Sequence, residues 1–325
     1  MQKPPTGSAH AATATTLIGT SFVALSLLGR YPELGGLALR YGLATAVLLV
    51  LAAREPAGIA PVRLLRPRQW LRLSLVAAAG MVGFNLAVLA AERSAEPAVP
   101  GVTVGCAPLL IAILAPLLER RRPSPRIAGS ALLVVAGAAV VQGLGRTDAA
   151  GLGYSVLALL GEVAFGLVSV PLIRPLGPTL LAACACAVAT VQAVVPAVLL
   201  HSFRAPGTEE LLALLWMALP VTVVAFWAWY SGVQRLGPER AGLFPGLIPV
   251  AAALTAPLVG TGTLGAGQLL GSLLVAAGVA AGLTAGLTAG RTAPRVPPPD
   301  AAAPTRGGGT GPEPAAPPPL PARRR

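Results

Sequence analysis

The sequence predicts an all-α integral membrane protein with ten transmembrane helices, built as two inverted five-helix repeats with both termini in the cytoplasm. Three observations carry this. First, the chain is 54% hydrophobic and 11% charged, whereas a water-soluble domain carries about 25% charged residues. Too few polar residues remain to cover a water-facing surface, so lipid must be the solvent for most of the chain. Second, seven residues recur in order 141 positions later: Pro97, Gly101, Gly105, Pro108, Ala115, Pro116 and Leu117 match Pro238, Gly242, Gly246, Pro249, Ala256, Pro257 and Leu258. Third, the arginines gather in alternate connectors, which sets an orientation.

Ten apolar segments follow one another, at 12–29, 35–53, 71–91, 98–118, 126–143, 151–172, 178–200, 211–233, 240–260 and 266–289. Each has the length of about 17–25 residues that a bilayer-crossing helix needs. The first has only Lys3 as a charged leader and no small-x-small cleavage site, so it reads as a retained helix and not a signal peptide. The connectors then alternate. Arg54, Arg63, Arg66, Arg68 and Arg72 fall on one side, with Arg120, Arg121, Arg122, Arg126, Arg174, Arg235 and Arg240. Arg30, Arg93, Arg146 and Arg204 fall on the other. With Lys3, Arg291, Arg295, Arg306 and Arg323 to Arg325, the first side collects 19 of the 24 Lys+Arg against 4, and Arg40 lies within a span. The richer side is expected to be cytoplasmic.

The chain therefore divides into a short cytoplasmic N-terminus (1–11), a first repeat (12–143), a second repeat (151–289) and a tail (290–325). The tail is rich in Pro, Ala and Arg, cannot bury a core, and is expected to be disordered. Arginine in place of lysine, with abundant Ala, Gly and Pro, points to a GC-rich bacterial genome and so to a bacterial cell membrane.

Five spans per half is an odd number, so the second half enters the bilayer from the opposite side. Halves related in this way supply two alternative states of similar energy, the pattern of a secondary transporter. The recurring residues have a mechanical meaning. Pro108 and Pro249 each remove a backbone donor and crowd the carbonyl four residues back. A carbonyl freed in lipid must find a partner or line a wet cavity. Gly101-x3-Gly105 and Gly242-x3-Gly246 allow close helix approach beside each break. These six residues are expected to wall a central cavity. A weaker match, Gly129-Ser130 with Gly271-Ser272, supports the duplication.

The chain resembles the EamA-type permeases of the drug/metabolite transporter superfamily over about residues 11–290. The likeness rests on the ten-span count, the duplicated unit and the Pro-centred fourth and ninth spans. It rests also on Gly19-Thr20-Ser21-Phe22-Val23 in the first span and Leu39-Arg40-Tyr41 in the second. The family's first span usually carries a Trp before that Gly, and here the position is Ile18. The resemblance implies export of amino acids, other metabolites or toxic compounds, often in exchange for protons.

Polar residues inside the spans are the candidate site. Glu162 lies about 16 Å along its helix, near mid-bilayer, where an acid costs about 2.5–3.5 kcal/mol. It shares a face with Ser155, Gly166 and Ser169, and is the candidate proton or substrate group. Arg40 lies near the outer end of its span. It either snorkels to the surface or turns inward to clamp a carboxylate or neutralise Glu162. Asn85 is a mid-span amide that either binds substrate or holds helices together. Trp227 belongs to a face with Trp216, Pro220, Ser231 and Gln234, and reads as substrate surface or as part of an aromatic belt. Thr13, Thr16 and Thr20 share a face, as do Gly278, Gly282, Gly286 and Gly290, a close-packing strip that could also serve a dimer.

Other classes are disfavoured. Cys184 and Cys186 point about 200° apart on a helix and cannot grip one metal; Cys106 is alone, and His10 and His201 are peripheral. No metal site or cofactor is expected, and no nucleophile–base set suggests an enzyme. The net charge of +12 sits in connectors and tail rather than on one face, which argues against nucleic acid. The expected partners are a small-molecule solute, protons and the bilayer. Export of a small organic solute is the first reading. A lipid or isoprenoid-lipid flippase is the alternative, and a membrane sensor or assembly factor is less favoured because the connectors are short.

Overall fold

The computed structural model describes residues 6–28, 31–96, 98–143, 145–255, 257 and 265–289. Lys3, Arg30, Pro97, Ala256, Leu258, Gly290 and the 291–325 tail lie outside the described residues. In chain order the helices are α1 (Thr6–Leu28), α2 (Glu33–Ala53), α3 (Pro67–Ala77), α4 (Phe84–Glu92), α5 (Ala98–Gly105), α6 (Ala107–Leu118) and α7 (Pro125–Gln142). They continue as α8 (Ala149–Val168), α9 (Val170–Leu199), α10 (Thr208–Ala218), α11 (Ala225–Leu236), α12 (Pro238–Ala241), α13 (Leu247–Thr255) and α14 (Ala266–Ala289). Two π-helical turns, Ala78–Gly83 and Leu219–Val224, join α3 to α4 and α10 to α11 into continuous rods. Eight helical rods among the described residues are long and apolar enough to cross a membrane. Neither α1, which carries His10 and several threonines, nor the interrupted α12–α13 segment is one of them.

The ends of the rods follow from local chemistry. Asp148 caps α8, its carboxylate accepting from the Gly151 N–H at 2.7 Å. Glu210 reaches back to the Gly207 N–H at 2.8 Å at the start of α10. Gly143 and Gly237 close α7 and α11 at φ +75° and +79°, a conformation that side chains disfavour. Gly177, at φ +73°, puts a non-helical step inside α9.

The 141-residue offset seen in sequence at one helix pair runs through the elements. α3, the first π turn, α4 and α7 begin at residues 67, 78, 84 and 125; α10, the second π turn, α11 and α14 begin at 208, 219, 225 and 266. Packing follows the same exchange. α1 packs on α11 and α13, while α8 packs on α4 and on the α5–α6 rod. α2 lies against α9, and α7 against α14, each pairing a helix with its counterpart.

The main core lies between α2, α3, α9 and α11, where Tyr41, Leu48, Leu73, Leu172, Leu181 and Tyr230 are buried. The α7–α14 contact is backbone-close. A Cβ on Gly271 would sit 2.6 Å from the Gly137 carbonyl oxygen, and one on Gly278 would sit 2.9 Å from that of Ser130. The glycine strip of α14 is thus used inside the chain, at least at Gly278 and Gly282, which meet Val134 and Leu243. Large apolar side chains cover the outside of the bundle: Leu71, Leu199 and Leu273 are 70%, 72% and 67% exposed. Exposed apolar area spread over so many rods suits lipid and not water.

Candidate functional site

One cavity of about 80 Å³ collects the polar residues that the spans cannot otherwise justify. α1 contributes Thr15, Ile18 and Ser21, and α2 contributes Arg40 and Tyr41. The first π turn and α4 contribute Gly80, Phe84 and Asn85; α8 contributes Glu162 and Phe165. α11 supplies Phe226 and Trp229, the second helix break supplies Pro245, and α13 supplies Ile248. Both repeats therefore share the wall. Ser21 and Glu162 are 141 positions apart, and so are Asn85 and Phe226. The cavity sits where equivalent positions of the two halves face one another, with hydroxyl and amide on one side answered by carboxyl and aromatic ring on the other.

Each polar side chain is held differently. Arg40 is 7% exposed and does not snorkel; its Nε donates to Thr222 Oγ1 at 2.8 Å, and its guanidinium lies 5.2 Å from the centre of the Tyr41 ring. Thr222 in turn donates to the Met217 carbonyl at 2.7 Å, five residues back at the end of α10, just before the second π turn. Asn85 Nδ2 donates to the Met81 carbonyl at 2.7 Å, within the first π turn, and to the Tyr41 hydroxyl at 3.2 Å. Both π turns thus anchor a cavity side chain, in keeping with the use of such turns at functional places. Phe165 stacks tilted on Phe226 at 5.1 Å. Ser155 and Ser169, on the Glu162 face, donate to their own backbone at 2.7 and 2.8 Å, which leaves Glu162 as that face's polar group without a hydrogen bond among the described residues.

Three of the candidate site residues, Glu162, Arg40 and Asn85, meet in this cavity. Trp227 does not line it: it is 40% exposed and stands 5.2 Å from the His10 ring. Its near neighbour Trp229, two residues further on, lines the wall instead. The six break residues are also absent from the lining. Gly101 and Gly105 face Gln142 and Ala138 on α7, Gly242 meets Ile111, and Gly246 meets Val134. Pro108 and Pro249 are buried among neighbours. At this cavity their small size serves helix approach, and the broken second segment reaches the wall through Pro245 and Ile248. The breaks themselves are real. α5 ends at Gly105 and α6 restarts at Ala107, while Gly242 to Gly246 separate α12 from α13.

On α1, Thr15 and Thr20 satisfy their own helix: Thr15 donates to the Ala11 carbonyl at 3.0 Å, and Thr20 donates to the Leu17 carbonyl at 2.7 Å and accepts from Trp216 Nε1 at 3.1 Å. The cysteines are unpaired, and no group of three His, Cys, Asp or Glu that could hold a metal occurs among the described residues.

Comparison with known proteins gives this architecture its class. The EamA-like transporter family matches the chain twice, over residues 6–142 and 149–283. The chain belongs to the EamA-like transporter family, and it is a multi-pass membrane protein of the transporter class. A relative in Bacillus subtilis (strain 168), "Uncharacterized transporter YetK", is 25% identical over 266 residues, covering 76% of this chain and 78% of that protein. A solved structure titled "Crystal structure of protein" is similar with a TM-score of 0.75 at 21% identity, covering 86% of this chain and 98% of that one. That likeness speaks for the fold.

Proposed function

We propose that this chain is a ten-helix secondary carrier of the bacterial cell membrane that moves a small organic solute by alternating access, in the export direction that the resemblance implies. Its two five-helix halves lie inverted in the bilayer with both termini in the cytoplasm, and the broken α5–α6 and α12–α13 segments move against the rest. The observation that supports this most is the convergence of Glu162, Arg40 and Asn85, from three helices, on one cavity shared by both repeats. A site placed at the exchange axis of two similar halves can be opened to either side by rearrangements of comparable energy. Glu162 is the only carboxyl on the wall among the described residues, and we assign it the proton-carrying role.

The test is purified protein in liposomes with an imposed pH gradient, screened against pooled organic acids, amino acids and amphiphilic drugs. Proton-driven flux of at least one solute is expected. Glu162→Gln should insert normally yet lose proton-driven flux by about 100-fold, the scale on which removal of a positioned proton-transfer group acts. Undiminished proton-driven flux in that variant refutes the assignment. Absence of flux for every pool refutes the carrier reading.

A further inference from the structure

Resting on the carrier reading, we infer that the solute is a small carboxylate, seated on the Nη groups of Arg40, with Thr222 as the residue that positions the guanidinium. Arg40 is more than nine-tenths buried, yet it makes no ion pair among the described residues. Its one hydrogen bond runs from Nε to Thr222, which leaves both Nη groups without a hydrogen bond among the described residues on the wall of the cavity. A buried cation without a counter-charge is strongly destabilising, and burial is tolerated when a partner anion completes it. Glu162 is not that partner, for no ion pair joins the two.

A second observation points the same way. Trp229, 4% exposed and on the same wall, has its Nε1–H buried without a partner among the described residues. Indole nitrogen and guanidinium are donors only. Two unmet donors facing one cavity call for a ligand that offers acceptors. A planar carboxylate meets the fork of a guanidinium through two parallel hydrogen bonds. The cavity of about 80 Å³ has room for about six waters at 10–15 Å³ each, the scale of a small organic anion, and Phe84, Phe165 and Phe226 offer its apolar part three ring surfaces.

Thr222 sets the geometry. It is fully buried, accepts from Arg40 Nε, and donates to the Met217 carbonyl, so its one proton is committed and its oxygen is oriented. Its place in the second π turn, bonded back to α10, thereby fixes which way the guanidinium faces.

The anion also determines what Glu162 must do. The titratable groups facing the cavity are Arg40, Tyr41 and Glu162; nothing contributed by α1, the first π turn, α4, α11 or α13 titrates. An anion and an ionised Glu162 repel each other in a low-dielectric space. The solute therefore binds with the proton on Glu162.

The experiment uses the full chain in lipid nanodiscs and radiolabelled benzoate, with benzamide and benzylamine as neutral and cationic competitors of similar shape. Benzoate is expected to bind, and neither competitor to displace it. Arg40→Gln should weaken benzoate binding about 100-fold, and Arg40→Lys, which keeps charge but loses the fork, about tenfold. Thr222→Val should weaken it about tenfold, with Thr222→Ser restoring it, a rescue that a merely packing role for the methyl would not give. Binding should tighten on acidification in the wild type and become independent of pH in Glu162→Gln. Failure of benzoate to bind, or displacement by benzylamine, overturns the inference even if both arginine variants fail to fold. Flux of neutral or cationic solutes in liposomes without benzoate binding sinks the carboxylate inference alone. Benzoate binding without flux of any solute sinks the carrier reading and leaves the anion site standing.

Discussion

Tyr41 shows what a single residue costs inside this bundle. It is 1% exposed, and its hydroxyl accepts from Asn85 Nδ2 at 3.2 Å. Asn85→Leu leaves that hydroxyl without its donor in a place water reaches only through the cavity, and also removes the bond to the Met81 carbonyl. Stranding a buried polar group costs about 1–3 kcal/mol, whereas removing both partners together costs less. Asn85→Leu is therefore expected to lower the thermal unfolding midpoint in detergent more than the Tyr41→Phe/Asn85→Leu pair does. A pair that is worse than the single change would show that Asn85 holds the turn and not the tyrosine. The same economics explain which site residues were legible in sequence. Glu162, Asn85 and Arg40 stand out because a charged or amide group within a span is expensive and needs a reason. Thr222 and Trp229 do not stand out: a threonine usually satisfies its own helix, and a tryptophan near a span end reads as belt. The spacing that could have found Trp229 is its position three residues after Phe226 and seven after Thr222, one helical face.

Among elements, the two π turns carry the most information and left no mark in the sequence. They occupy residues 78–83 and 219–224, the same place in each half, yet the first reads AAGMVG and the second LPVTVV. Proline is present only in the second, so it is not what makes the turn. Pro220→Ala is accordingly expected to keep the Arg40–Thr222 bond and to leave flux within about twofold, because hydrogen bonding at Thr222 holds the geometry. A loss as large as that of Thr222→Val would show the proline to be essential. Helix contacts make the opposite prediction. Gly271→Ala places a Cβ 2.6 Å from the Gly137 carbonyl oxygen and 2.7 Å from the Val141 nitrogen, both backbone atoms that cannot swing away. Forcing α7 and α14 apart should cost about 1–3 kcal/mol, read as a lower unfolding midpoint; Gly153→Ala, which meets nothing within 4 Å, is the control and should be silent. Such close contacts leave glycines in the sequence, which is why the strip on α14 was readable. Each π turn is bonded by a polar side chain of a different kind, Asn85 at one and Thr222 at the other, so no single residue type marks it in the sequence.

At the scale of the molecule, duplication is written unevenly. The densest match lies in the fourth and ninth segments, where proline breaks the helix and glycine permits close approach, while the fifth and tenth keep the weaker Gly129-Ser130 and Gly271-Ser272 match. The element boundaries nevertheless keep the same offset from α3 to α14, so the architecture outlasted the sequence that encoded it. Whether α1 crosses the membrane decides the topology, since removing one crossing from an odd set of five reverses everything after it. The arginine asymmetry argues that it does cross: Arg54, Arg63, Arg66, Arg68 and Arg72 follow α2, and they belong on the cytoplasmic side. Single cysteines on a background without Cys106, Cys184 and Cys186 test this directly. Ile59→Cys and Ala205→Cys are both exposed, one after α2 and one after α9. A membrane-impermeant maleimide added to intact cells should label Ala205→Cys and spare Ile59→Cys until the membrane is opened. The reverse pattern would place α1 outside the bilayer. It would also break the odd count on which the inverted relation of the two halves depends, and with it the physical reason for two access states of similar energy.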